Sequence, residues 1–184
     1  MDVQNDFSPG GALPVPQGDQ IIPVLNKYII KFEKAGARIF ATRDWHPSNH
    51  ISFIPYGGPW PPHCVQGTRG AEFHPALKLS RNVTVISKAT NPHRESYSGF
   101  DGTDLERKLR DGNTKRIFVG GLATDYCVKR TVLDGLKIGF PTGLLTDAIK
   151  GIDQKPGDSE EAVREMVQNG AKIVTLSDIS KQFA

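Results

Sequence analysis

The chain has 184 residues and a net charge of +3, from 23 lysines and arginines against 20 aspartates and glutamates; that length suits one domain with a real core and falls short of two ordinary ones. The charges are scattered without a basic run or basic helix face, which argues against nucleic acid or an anionic membrane as a partner, and no stretch reaches the roughly 20 apolar residues of a bilayer span. The opening MDVQNDFSPGG has neither the basic start nor the apolar centre of a secretory signal, and two cysteines in dissimilar settings make no disulfide scaffold, so a reduced cytoplasmic setting is expected.

Short apolar runs rich in β-formers alternate with helical patterns, the signature of an α/β fold on a parallel sheet. MDVQNDF reads as the end of a strand whose apolar body is absent, which predicts that the chain starts late and that the natural product carries several more apolar residues. Asp19 is placed to cap a helix running to about Ala35, with Ile22, Leu25, Ile29, Ile30 and Phe32 mostly inward and Gly36 as its stop. Residues 37–42 (ARIFAT) read as a buried strand. From Arg43 to about Pro75 runs a long irregular segment rich in Pro, Gly and His, and a loop of that length in a compact domain usually serves function. Residues 83–87 (VTVIS) form the next strand, Thr103 caps a short helix ending near Gly112, and residues 116–119 (RIFV) return to strand. Residues 120–124 then turn into a helix, capped by Thr124 or Asp125, whose Val128, Val132 and Leu136 make an i, i+4 stripe. A strand over 142–145, a capping box of Asp158 and Glu161 opening a helix to Gly170, and a strand over 172–176 complete the chain. No repeat or linker divides it, so one domain over residues 1–184 is expected.

The segment GGLATDYCVKRT, residues 120–131, carries a thiol in the first turn of a helix that follows a buried strand. Carboxyl ends of parallel strands are where ligands bind. At a helix start Cys127 meets the positive end of the dipole and unpaired N–H groups, which favour a thiolate and can receive an oxyanion. A free cysteine is otherwise a small buried hydrophobe, and Cys64, in the loop PPHCVQGT, is read that way. In ATRDWHPSNHISF, Asp44 and His46 leave a strand at alternate positions and can point to one side. His63 offers a third ligand from the far end of the loop. One carboxylate and two imidazoles suit Zn²⁺, Fe²⁺ or Mn²⁺, against the plainer reading of loop histidines in hydrogen bonds. His50 is an alternative fourth ligand, although Pro47 and Asn49 argue against the helix that its spacing from His46 would need. Lys88 follows VTVIS at another carboxyl end. Turned inward, it would lower the pKa of a nearby thiol and pair with a carboxylate such as Asp2. Phe7, Trp60 and Tyr97 lie in loops beside these groups, where they suit the walls of a pocket for a flat ring.

Taken in order, DVQNDF…GG, ATRDWHP.NHISF, W..HCVQGT.GAEFHP, SKAT, YSGF and GLATDYCV resemble the nicotinamidase/pyrazinamidase branch of the isochorismatase-like hydrolases nearly end to end. The resemblance implies a doubly wound, three-layer α/β/α sandwich with one central parallel sheet. It implies a triad of Asp2, Lys88 and Cys127, a metal site of Asp44, His46 and His63, with Zn²⁺ the foremost candidate, and a ring pocket of Phe7, Trp60, Tyr97 and Leu122. It also implies a cis peptide before Ala123, aiming the Ala123 and Cys127 N–H groups at the oxyanion. The expected reaction takes nicotinamide to nicotinate and ammonia, with pyrazinamide as a second substrate. Cys127 forms a thioester, Asp2 moves the proton, and the metal holds the pyridine nitrogen; water, activated by Asp2 or the metal, frees an acid that feeds pyridine-nucleotide salvage. Rival readings are another amidase of the same superfamily and a non-catalytic metal-binding domain on this fold. The small-molecule substrate is the expected partner, and a homodimer stays open.

Overall fold

The computed structural model describes residues 1–182. Two parallel ladders carry the architecture. In the first, β1 (Phe40–Asp44) pairs with β2 (Thr84–Lys88) in a register that sets Asp44 opposite Lys88. In the second, β4 (Thr142–Lys150) lies between β3 (Ile117–Leu122) and β5 (Lys172–Val174). Five helices flank them: α1 (Ile22–Lys34), α2 (Leu105–Asp111), α3 (Lys129–Lys137), α4 (Asp158–Gln168) and α5 (Leu176–Gln182).

Burial on both faces makes this a layered α/β structure. Leu144 and Leu145 are adjacent on β4, point to opposite faces, and are both buried. Leu145 packs with Leu25 and Phe32 of α1 and Ile179 of α5, whereas Leu144 packs with Val132 of α3 and Met166 of α4. A strand covered on both faces reads as a continuous apolar run, not as an alternation. The core stripe of α1 is Ile22, Leu25, Tyr28 and Phe32, while Ile30, expected inward, is 47% exposed. Among the described residues, no helix is long and apolar enough to cross a membrane.

Several boundaries differ from expectation for local reasons. Asp19 lies in a 3₁₀ turn (Gly18–Ile21) ahead of α1 and makes no side-chain cap there. Gly36 does stop α1, in the left-handed conformation at φ +73°, but the Ala37 N–H then closes back on Phe32 O at 2.9 Å, so β1 starts only at Phe40. Gly120 and Gly121 belong to β3 and not to a turn. Thr124 and Asp125 do not cap the cysteine helix; the Asp125 carboxylate accepts the N–H groups of Ile152 and Asp153 at 3.0 and 2.8 Å and ties down the loop after β4. No capping box opens α4: its N-cap is Gly157, Asp158 accepts the Lys155 N–H, and Asp153 takes the Ser159 N–H. β5 ends at Val174 because Asp178 reaches back to the Thr175 N–H at 2.9 Å and opens α5 there.

The expected single central sheet is interrupted. Between β1 and β3 the ladder is bridged only by the first two residues, which hold no strand of their own. The Met1 amine donates to Gly120 O at 2.7 Å, Leu122 N–H donates to Met1 O at 3.0 Å, and Asp2 N–H donates to Thr42 O at 3.1 Å. Gly121, at φ +120°, permits this approach, since a Cβ there would lie 2.1 Å from Met1 O. Toward the amino ends of the two strands the gap is a slot of about 610 Å³, lined by Leu25, Phe32, Leu105 and Phe118 among others.

Candidate active site

The groups of the site come from strands, from the π-helical turn after β3 and from loops laid across the strand ends. Lys88, last residue of β2, is buried, and its ammonium is the hub. Nζ lies 3.1 Å from Asp2 Oδ2 and 3.3 Å from Cys127 Sγ, contacts Asp44 Oδ1 directly, and sits 3.4 Å from the Ser96 carbonyl. Burial alone would lower the lysine pKa, but Asp2, Asp44 and Cys127 together raise it well above its usual value, so the ammonium stays charged.

Asp2 adopts φ +46°, a left-handed conformation that aspartate tolerates. Its Oδ1 accepts the Thr42 hydroxyl at 2.6 Å. Oδ2 makes the ion contact with Lys88 but accepts no hydrogen bond from any described residue. The same carboxylate pairs with the Cys127 thiol, so it stands where the sulfur proton must go.

Cys127 lies in a π-helical turn, Thr124–Val128, and not in the first turn of an α-helix. Such turns recur at functional sites. The peptide Leu122–Ala123 is cis, and the Ala123 carbonyl accepts the N–H groups of Tyr126 and Val128, on either side of the cysteine. The thiol pKa runs opposite to the sequence expectation. Burial raises it, the pull of Lys88 lowers it, and Asp2 and Asp44 raise it again, leaving it well above the usual range. The resting group is therefore a thiol hydrogen-bonded to the Asp2 carboxylate, whose Oδ2 is ion-paired with Lys88. Cys64, in contrast, is wholly enclosed with its pKa also raised by burial.

Asp44, His46 and His63 are all buried and bring one ligand atom each within 4.8 Å of one another. The His46 Nδ1 lies 3.1 Å from the His63 carbonyl, and the His63 Nδ1 lies 2.8 Å from the Pro61 carbonyl. A carbonyl only accepts, so both Nδ1 atoms carry the proton and both Nε2 lone pairs are left bare, the arrangement of metal-bound histidines. Burial, with His63 and His50 adding to it, lowers the His46 pKa to about 2, which keeps the ring neutral. The donor set fits a divalent cation. His50 is engaged elsewhere: Nδ1 accepts the Ser52 N–H at 3.2 Å, so Nε2 is the donor, to Arg94 O at 3.1 Å. It groups with His46 and Glu95, but joining a metal would cost it the Arg94 bond.

Of the expected ring walls, Trp60 donates Nε1–H to the Tyr97 hydroxyl at 3.0 Å, and Phe7 lies 5.5 Å from the His63 ring. Phe7 also belongs to the main core cluster, and Leu122 is fully buried in it. Tyr126 was not anticipated. Its ring meets Trp60 at 5.2 Å and Tyr97 at 5.5 Å, closing an aromatic trio. Its only sequence signal was adjacency to Cys127. Thr42 was missed too, a hydroxyl inside an apolar strand.

This pairing of a thiol beside a proton acceptor with a cluster of metal-ligand type is equipped for attack of sulfur on a carbonyl carbon next to a held cation. The class so defined is a cysteine-dependent hydrolase on a layered α/β fold. The chain belongs to the isochorismatase family, whose domain matches residues 1–178. It is 42% identical to a nicotinamidase of Escherichia coli, over 97% of this chain and 93% of that one. To a nicotinamidase/pyrazinamidase of Mycobacterium tuberculosis it is 38% identical, over 96% and 97%. The crystal structure of the pyrazinamidase of Pyrococcus horikoshii in complex with zinc superimposes with a TM-score of 0.91 at 58% identity, covering 95% of this chain and 96% of that one.

Proposed function

We propose that the chain hydrolyses nicotinamide, and pyrazinamide with it, to the free acid and ammonia. The observation that carries this reading is the contact of Lys88 with both carboxylates, Asp2 beside Cys127 and Asp44 beside the two histidines. One ammonium thus joins a nucleophile site to a cation site, as an amide on a metal-binding ring requires.

Asp2 Oδ2 takes the Cys127 proton as sulfur attacks the carboxamide carbon. Lys88 holds Asp2 in place and balances the charge shared by carboxylate and sulfur. The N–H groups of Ala123 and Cys127 receive the oxyanion. Asp2 returns the proton to the leaving ammonia, and a water deprotonated by Asp2 then opens the thioester. Asp44, His46 and His63 hold the divalent metal, with Zn²⁺ as the reading favoured by two imidazoles and one carboxylate; when bound it supplies a Lewis-acid anchor for the ring nitrogen. Trp60, Tyr97 and Phe7 flank the ring. A cytoplasmic, reducing setting suits an enzyme that depends on a free thiol.

The test is ammonia release from nicotinamide by protein loaded with zinc. Turnover that disappears on chelation and returns with metal supports the reading. No release from nicotinamide or pyrazinamide by metal-loaded, folded protein overturns it.

A further inference from the structure

The segment that carries Asp2 also carries two side chains that grip the backbone of the cation site. Gln4 is fully buried. Its Oε1 accepts the Asp44 N–H at 2.8 Å, and its Nε2 donates to Asp44 O at 2.8 Å and to Ala71 O at 2.9 Å. One side chain therefore satisfies both main-chain groups of Asp44. The need for it follows from the ladder. In a strand the polar groups of alternate residues point to the same side, and Thr42 O already faces away from β2 toward Asp2. Asp44, two residues on, faces the same way, at an edge where the described residues offer no further strand. The Gln4 amide stands in for that strand. With an acceptor needed at Asp44 N–H and donors needed at two carbonyls, only one orientation of the amide works.

Two residues later Asp6 grips the chain beside a second of the three ligands, His63. Its Oδ2 accepts the Cys64 N–H at 2.7 Å, directly after His63, and its Oδ1 accepts the Ala12 N–H at 3.2 Å. Cys64 sits at φ +47°, so this bond pins a turn and not a length of regular chain.

From this geometry we infer that Gln4 is a positioning residue for the metal ligand Asp44, with Asp6 holding the His63 turn in the same manner. The inference rests on the reading of Asp44, His46 and His63 as metal ligands. The Asp44 carboxylate is divided between two neighbours: Oδ1 meets Lys88, and the group also offers a ligand atom beside those of His46 and His63. Its main chain must be fixed for that division to hold, because a shift toward Lys88 takes the ligand away from the histidines. Partners beyond the direct ligands set metal affinity in this way, and their loss costs about 10- to 100-fold.

Zinc dissociation constants, measured on the full chain by competition with a chromogenic chelator, would be set beside thermal melts for the wild type, Gln4→Leu, Gln4→Glu and Tyr28→Phe. Tyr28 donates to Asp147 at 2.6 Å between α1 and β4, and its substitution serves as the stability control. Both Gln4 variants should bind zinc about 10- to 100-fold more weakly, whereas Tyr28→Phe should lower the melting temperature and leave zinc affinity alone. Glutamate keeps the size and the acceptor for Asp44 N–H but sets an oxygen against the Asp44 and Ala71 carbonyls, so the melt shows first whether each variant folds, and zinc affinity is compared on folded protein. A folded Gln4 variant with zinc affinity indistinguishable from wild type overturns the inference. Amide exchange on the wild type needs no variant: zinc should slow exchange at the Asp44 N–H, and an unchanged rate overturns the inference equally. A wild type that binds no zinc overturns the metal reading itself and this inference with it, so the two failures are told apart.

Discussion

β1 and β3 face each other across the middle of the molecule, and the two ends of the gap between them differ. At the carboxyl end the gap is closed by Met1 and Asp2, and the segment that follows lays Gln4 and Asp6 over the strand ends. At the amino end the same two strands leave a slot of about 610 Å³. That slot lies away from the catalytic groups. The contrast teaches that this site is assembled by side chains laid across strand ends.

The contrast is tested most severely at Cys127. Cys127→Ala should reduce nicotinamide turnover by about 10⁴-fold or more, the scale of loss for a residue that acts as one unit with its partners. Zinc content and melting temperature should stay close to wild type. Cys64→Ala should remain active, since that side chain touches none of the reacting groups. Substantial turnover by Cys127→Ala would remove the covalent route.

Thr42 comes next. Thr42→Val keeps the shape and removes the donor to Asp2 Oδ1. A hydrogen bond to a charged group contributes about 1.5–3 kcal/mol, so kcat should fall by roughly 10- to 150-fold. KM should change little, because Thr42 does not border the ring pocket residues. If kcat is unaffected, Asp2 is oriented by Lys88 alone.

Thr42 also marks the boundary of what the sequence discloses. Lys88 could be picked out as the residue closing a strand read from apolar periodicity and Cys127 by the helix start that follows β3, whereas Asp2, read as a strand end, holds no strand. Asp44, His46 and His63 could be picked out by residue type in a loop too irregular to be scaffold. Thr42 could not, because a β-branched residue in a β-rich run needs no further explanation. Gln4 was equally silent, since an amide carries no charge or metal affinity to flag it. The thiol pKa was misjudged for a related reason: the helix start and Lys88 are local to the sequence pattern, but the burial that outweighs them is a property of the packed whole. The same holds for the helix caps: Asp125 ties down the loop after β4, and the Ser159 N–H in the first turn of α4 is taken by Asp153 and not by a box of Asp158 and Glu161.

At the rim of the site the effects become smaller and move from kcat to KM. Trp60→Ala removes one ring of the aromatic trio and the donor to Tyr97. An aromatic contact contributes about 0.5–1.5 kcal/mol beyond its buried area, so KM for nicotinamide should rise by about tenfold with kcat changing less. An unchanged KM would place Trp60 outside the pocket.

The least effect on rate is expected at the other end of the gap. Adding about five apolar residues ahead of Met1 supplies a strand parallel to β1 and β3, packed against Leu25, Phe32, Leu105 and Phe118, with ladder bonds to both facing edges. At about 1 kcal/mol net per hydrogen bond, and about 2–4 °C of melting temperature per kcal/mol for a chain of this size, the rise should be on the order of 10 °C. The Met1 amine gives a second readout. Burial lowers its pKa from 8.0, against the opposing pull of Asp2 and Cys127. The folded chain thus holds that proton less well than the unfolded one. Between the lowered pKa and about 8 the unfolded state binds more protons, so this group makes stability rise with pH across that window. In the extended chain the amine becomes an amide, and that part of the pH slope should vanish. Turnover should change little, because Asp2 keeps Thr42 and Lys88. Equal melting temperatures and equal pH slopes in the two forms would show that the slot accepts no strand. The difference between the two ends of the gap would then reflect packing that the fold manages without.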